Sequence, residues 1–281
     1  RIFQKEAQGC PEAAHGEKTR HPRDFMAAIK AFTKQRKWEY ALGVLAEMQE
    51  EDLKPDMMSF SAVISVCAKS EQCERALDML ADMHEQGLVT DAISYNAAMC
   101  ACEKDEQWER ALGMLEEMRR RELEPDLFSH STLIAACEKS KQWIPALHML
   151  ADMHQHELEP NMISSNAGIS ACGKSNQWEQ ALKIFAELDE QHQETDLISH
   201  SAIISACAKG KQWEQALRML AEMRARDLEP NTVTYNAAIS AYEKGGQWGR
   251  ALHILVQMQD EELEPSVVTY SAAISACEKS E

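Results

Sequence analysis

Nine cysteines and ten histidines are the residues with which this chain could hold a metal or run nucleophilic chemistry. Their spacing argues against both. Six of the cysteines, Cys67, Cys102, Cys137, Cys172, Cys207 and Cys277, recur at intervals of 35 or 70 residues. No two cysteines are spaced C-x-x-C, as a zinc or redox site would need. A cysteine that returns to one position of a repeat reads as a small buried apolar group, kept reduced by its compartment. In His154-Gln155-His156-Glu157 the imidazoles stand two apart on a helix and point away from each other. No H-x-E followed by C-x-x-C, the pattern of a zinc deaminase, occurs. The expectation is a chain that is not an enzyme, with no catalytic or metal site, no cofactor and no small-molecule substrate.

A second set of charged groups is more regular. Lys34, Lys69, Lys104, Lys139, Lys174, Lys209, Lys244 and Lys279 stand 35 residues apart without a gap. The six tryptophans (Trp38, Trp108, Trp143, Trp178, Trp213, Trp248) and Pro55, Pro125, Pro160, Pro230 and Pro265 keep the same beat. A fixed period of this size predicts a stack of small like units. Each unit packs on its neighbours, so the expected form is an elongated solenoid with a long inner surface.

Residues 92–126 show how one unit is built. From Ile93 to about Lys104 the residues are mostly alanine and small apolar groups, and around Asp105–Gln107 the pattern turns polar. From Trp108 the apolar residues fall at Trp108, Ala111, Leu112, Leu115 and Met118, one face of a helix. Leu123 and Pro125 are expected to end the unit, because proline stops a helix. Asp126 follows, as Asp56, Asp91, Asn161, Asp196, Asn231 and Ser266 do elsewhere, and Asp, Asn and Ser are preferred helix N-caps. The reading is all-α, as tandem helix-turn-helix repeats at 22–56, 57–91, 92–126, 127–161, 162–196, 197–231 and 232–266. A partial repeat covers 267–281, and 1–21 is an irregular N-terminal segment. Pro145 falls in the first turn of a second helix, where proline is tolerated.

Composition agrees with that class. Of 281 residues 44% are hydrophobic and 6% aromatic, while 11 glycines and 8 prolines are too few for a β-rich or collagenous chain. No apolar run is long enough to span a membrane. Residues 1–21 do not read as a targeting peptide, since Glu6, Glu12 and Glu17 offset the basic residues. A chain that opens on Arg1 and stops at Glu281 inside a repeat reads as a fragment.

The segments 92–126, 162–196 and TVTYNAAISAYEKGGQWGRALHILVQMQDEELEPS (232–266) resemble pentatricopeptide repeats of the 35-residue P class. The resemblance spans 22–281, and its ISACEKS-QWE-AL wording is similar to long arrays of dinoflagellate algae. It implies a right-handed α-solenoid that binds single-stranded RNA, one base per repeat, in a chloroplast or mitochondrion. In that family the fifth and last residues of a repeat select the base, the second packs on its face, and a lysine ending the first helix meets phosphate. Carried over, the base-selecting pairs are Ser61/Asp91, Asn96/Asp126, Ser131/Asn161, Asn166/Asp196, Ser201/Asn231 and Asn236/Ser266. The stacking residues are Met58, Ile93, Phe128, Ile163, Ile198, Val233 and Val268, and the phosphate contacts are the eight periodic lysines. The family's pairing preferences turn those pairs into a core site 5′-GUAUAC-3′. The first repeat departs from the pattern, with Arg23 and Met26 at its second and fifth positions.

Two features bear on that implication. From the second repeat on, the fifth position is always Ser or Asn, although a packed helix would favour Ala over Asn. Such residues suit hydrogen bonding to base edges. Against this stands a net charge of −17, since phosphate contact supplies most non-specific affinity. The charge is unevenly placed: the first-helix segments carry +4, which leaves −21 for the rest of the chain. Glu103, Asp105, Glu138 and Glu243 beside the lysines are expected to weaken phosphate binding. The expected partners are single-stranded RNA and RNA-processing proteins, with binding that serves transcript processing, stabilisation or editing guidance. The alternative is a protein–protein interaction scaffold, a use to which α-solenoids are also put.

Overall fold

The structure, a computed structural model, describes residues 22–51, 53–190 and 195–278, with the side chains of 22–24 left aside. The expected irregular segment 1–21 and Lys279 lie outside the described residues. Fifteen helices occur among them and no strand does. They come in pairs: α1 (Pro22–Gln35) and α2 (Trp38–Glu50), α3 (Met57–Lys69) and α4 (Cys73–Glu85), α5 (Ala92–Lys104) and α6 (Trp108–Arg120). The series continues with α7 (Leu127–Lys139), α8 (Trp143–Gln155), α9 (Met162–Lys174), α10 (Trp178–Glu190) and α11 (Leu197–Lys209). It closes with α12 (Trp213–Ala225), α13 (Thr232–Lys244), α14 (Trp248–Asp260) and α15 (Val267–Glu278). The fold is an all-α solenoid of tandem helix pairs.

The array forms two compact units, one ending at Ala136 and the other beginning at Cys137. In the first, α3 packs on α1 and α5 as well as on its own partner α4. In the second, α11 does the same with α9, α13 and α12. Every first helix so placed is covered on both sides, which explains its run of small residues. Val66, Cys67 and Ala68 of α3 are buried, as are Ala206, Cys207 and Ala208 of α11. Burial pushes the thiols of Cys67 and Cys137 up to about 12 and those of Cys172 and Cys207 up to about 11. They are packing groups, not nucleophiles.

Second helices bury one stripe: Ala111, Met114, Leu115 and Met118 in α6, Ala181, Ile184, Phe185 and Leu188 in α10. The tryptophans open these helices and lie over the neighbouring turn. Trp178 and Trp213 press on Gly210 and Gly245, leaving no room there for a Cβ.

Both kinds of helix stop in the same way. After α5, Gln107 N–H bonds to Cys102 C=O (2.9 Å) and Glu106 N–H to Glu103 C=O (3.4 Å), with Glu106 at φ 58°. After α6, Leu123 N–H bonds to Met118 C=O (2.9 Å) and Glu122 N–H to Arg119 C=O (3.0 Å), with Glu122 at φ 60°. This is the Schellman stop, usually built on glycine. Here glycine takes the left-handed place only at Gly87 and Gly246 among the described residues. Pro125 therefore does not stop α6, which has already ended; it lies in the link that leads to the next N-cap.

Candidate functional site

The first turns of the first helices carry the polar chemistry of the fold. The residue before each has extended backbone, ψ 167° at Asp91 and 170° at Asn161, and its Oδ1 accepts the N–H three residues on. The distances are 2.9 Å for Ser59 on Asp56 and Ser94 on Asp91, 2.8 Å for Ser129 on Asp126 and 3.0 Å for Thr234 on Asn231. Asn161 and Asp196 do the same for Ser164 and Ser199, and Ser266 Oγ accepts from Thr269 N–H at 3.3 Å. The last residues of the repeats are thus N-caps, worth about 1 kcal/mol each. Capping occupies Oδ1 alone. What remains is a second carboxylate oxygen, an acceptor, where the cap is Asp, and an amide nitrogen, a donor, where it is Asn. Burial alone would raise the Asp126 and Asp196 carboxyls. The N–H groups of Ser129 and Ser199, the Ser199 hydroxyl and the amides of Asn96 and Asn166 outweigh it and hold both below the usual carboxylate range.

The fifth residues lie beside these caps. Asn96 Nδ2 donates to Asp126 Oδ1 at 3.4 Å, and its Oδ1 accepts from Ser129 Oγ at 2.6 Å. Asn236 Oδ1 accepts from Thr269 Oγ1 at 2.5 Å. Ser61 and Ser201 meet Ser94 and Thr234 at 2.6 and 2.7 Å. Among the described residues three buried side-chain polar atoms have no hydrogen-bond partner. Two of them, Ser131 Oγ and Asn166 Oδ1, belong to fifth residues; the third is His200 Nε2. Met26, fifth in the first repeat, offers only its sulfur to Ser59 Oγ, 3.3 Å away.

Three residues before each fifth position, hence on the same helix face, stands a large apolar group in solvent. Met58, Ile93, Phe128, Ile163, Ile198, Val233 and Val268 are all between 52% and 71% exposed. Single exposed apolar side chains are ordinary. Three in the first unit and four in the second, each at one position of its repeat and beside a polar pair, form a repeated surface within each unit.

The lysines are less uniform than their spacing. Lys34, Lys69, Lys209 and Lys244 are exposed, whereas Lys104, Lys139 and Lys174 are half-buried. Lys104 Nζ donates to Ala68 C=O (2.9 Å) at the end of the preceding first helix, and Lys174 Nζ lies 3.0 Å from Glu138 Oε1, which also accepts from Ser170 Oγ at 2.7 Å. Asp105 turns away: its Oδ2 accepts the Cys73 N–H at 3.0 Å. Partial desolvation, then the charges of Lys174, Lys244 and Lys141, lower the pKa of Lys209. Mutually repelling cations in one place favour an anionic partner.

Sequence reasoning missed one set of residues here. Ser59, Ser94, Ser129, Ser164, Ser199, Thr234 and Thr269, the third residues, are all buried with their hydroxyls bonded to the caps, and all but Ser164 and Ser199 also meet the fifth residue of the repeat before. Their signal was in plain view as an unbroken Ser/Thr row at the period of the lysines. No group of three or more His, Cys, Asp or Glu side chains among the described residues is arranged to hold a metal. No described helix is long and apolar enough to cross a membrane.

The pentatricopeptide repeat domain signature matches residues 23–70, 183–245 and 218–280. Two further signatures of the same repeat match 90–139, and 58–88 with 164–192. The chain belongs to the pentatricopeptide repeat family. Among solved structures this repeat array is similar to the pentatricopeptide repeat protein PPR10 from maize, with a TM-score of 0.66 and 23% identity over 99% of this chain and 45% of that one. It is also similar to PPR10 in complex with an 18-nt psaJ RNA element, with a TM-score of 0.55 and 15% identity over 94% and 52% of the two chains. A third similar structure is the repeat domain of Arabidopsis thaliana protein-only RNase P 1 in complex with tRNA, with a TM-score of 0.55 and 14% identity over 64% and 95%. The chain thus spans about half the length of PPR10. Comparison with curated proteins returns no match.

Proposed function

We propose that this array binds single-stranded RNA, one base per repeat, with the core site 5′-GUAUAC-3′. The observation that carries the reading is the exposed apolar row beside the capped polar pairs. Each apolar side chain offers a face for a base to stack on, and the pair beside it offers hydrogen bonds to that base's edge. The atom that capping leaves over sets the match. The remaining oxygen of Asp91, Asp126 or Asp196 accepts from N1–H of G or N3–H of U. The amide nitrogen of Asn161 or Asn231 donates to N1 of A or N3 of C. The fifth residue then separates purine from pyrimidine, the smaller Ser leaving room for the larger base. Lys69, Lys104, Lys139, Lys174, Lys209 and Lys244, with Lys34 and Lys279, meet phosphates and position the strand without specifying it. Two of the similar structures hold RNA, which supports this reading. The family resemblance points further, to processing, stabilisation or editing guidance of chloroplast or mitochondrial transcripts alongside RNA-processing proteins.

The acidic surface favours the second reading, a scaffold for a basic peptide. Selection from a random RNA pool separates the two. Enrichment of GUAUAC is expected, and the double change Ser201→Asn with Asn231→Asp should move the fifth base from A to U. Selection of no motif, or of one that the double change leaves alone, would sink the base-reading proposal.

A further inference from the structure

We infer that the buried third-residue hydroxyl that bonds a fifth-position asparagine, Ser129 at Asn96 and Thr269 at Asn236, is a positioning residue for base choice by the repeat before it, because it fixes which way that asparagine presents its amide. The inference rests on the base-per-repeat reading above. Ser129 Oγ lies 2.6 Å from Asn96 Oδ1 and 2.8 Å from Asp126 Oδ1, and Thr269 Oγ1 lies 2.5 Å from Asn236 Oδ1 and 2.9 Å from Ser266 Oγ. Each hydroxyl therefore bridges the two members of a base-selecting pair. An asparagine amide is nearly symmetric in shape, so nothing but its hydrogen bonds decides whether oxygen or nitrogen faces a ligand. A hydroxyl hydrogen on Oδ1 makes that choice; at Asn96 one Nδ2 hydrogen then goes to Asp126 Oδ1 (3.4 Å) and the other is left as the outward donor. A pyrimidine presents its O2 carbonyl to such a donor, whereas an amide free to flip would offer donor and acceptor in turn and lose the preference.

The rest of the row shows where the role applies and where it does not. Ser199 occupies the same place but gives its hydrogen to Asp196 Oδ1 at 2.8 Å, and Asn166 Oδ1 has no hydrogen-bond partner, so the fourth base lacks this device. Where the fifth residue is serine there is no amide to orient. Ser61 bonds its own Met57 C=O at 2.8 Å besides meeting Ser94. A hydroxyl rotor adapts to whatever partner it has, so removing Ser94 should leave the first base as it was.

The test measures binding of the whole chain to GUAUAC and to oligonucleotides changed at each base in turn. Ser129→Ala should lower the preference for U over purines at the second base by about tenfold, the worth of one hydrogen bond, with the other five preferences intact. Ser129→Thr should restore it, since Thr234 and Thr269 serve in the same place. Ser94→Ala removes the same contact to a cap (2.7 Å at Asp91) and should change no preference. The isosteric Thr269→Val provides a second site should Ser129→Ala fold poorly, and should relax the sixth base alone. A second-base preference that survives Ser129→Ala, or a parallel loss at all six bases, would overturn the inference while leaving the code in place. A wild-type chain with no preference at the second base would overturn the code and this inference with it.

Discussion

The two helices of a repeat begin under different constraints. A first helix follows a link such as Leu123-Glu124-Pro125-Asp126, long enough for the cap to take extended geometry and turn its side chain onto the helix. A second helix starts two residues after a Schellman stop. Gln107 closes α5 and opens α6 at once, and at ψ 64° its side chain makes no cap bond. Burial divides the same way. Apart from Thr90 and Thr195 in the links, every buried polar or charged side chain among the described residues lies on a first helix. Second helices are packing struts with acid outside. First helices bear the desolvation of serines, threonines and asparagines that packing alone would replace with alanine.

The comparison can be broken from either side. Leu115→Ala, in the fully buried stripe of α6, should cost about 2–5 kcal/mol in urea denaturation and change no base preference. A changed preference would show that second helices also carry recognition. Asp91→Ala should cost about 1 kcal/mol through its lost cap and weaken discrimination at the first base. Gln107→Ala, at the uncapped start, should stay within about 0.5 kcal/mol and leave RNA binding alone. The ends of the helices sharpen the contrast by being alike. Glu106→Gly after a first helix and Glu122→Gly after a second should each stabilise by roughly 0.5–1 kcal/mol, since both glutamates sit in the left-handed region that a side chain disfavours. Thermal melts that moved only one of them would show that the two stops are not equivalent.

Much of this was legible in the residues. The 35-residue beat marks where each helix starts, because Trp and the Asp/Asn/Ser caps are chemically distinctive and local. Where helices stop was not legible. Glu106, Lys141 and Lys211 carry no left-handed signature, so the sequence points to Pro125, three residues past the true stop at Glu122. The lysine row shows the same limit. Lys69 and Lys174 are equivalent in sequence, yet Lys69 is exposed and Lys174 is tied to Glu138.

Period and local propensity determined the fold class, the capped first turns and the buried alanine and cysteine positions. Those properties depend on neighbours along the chain or on a repeat meeting its own copy. Tertiary structure alone decided which atoms of the polar pairs remain to be used. Capping spends Oδ1 and leaves its partner atom, and the hydroxyl at residue 129 spends the carbonyl of residue 96. A one-hydrogen donor between two acceptors is settled only when helices 33 residues apart are brought side by side.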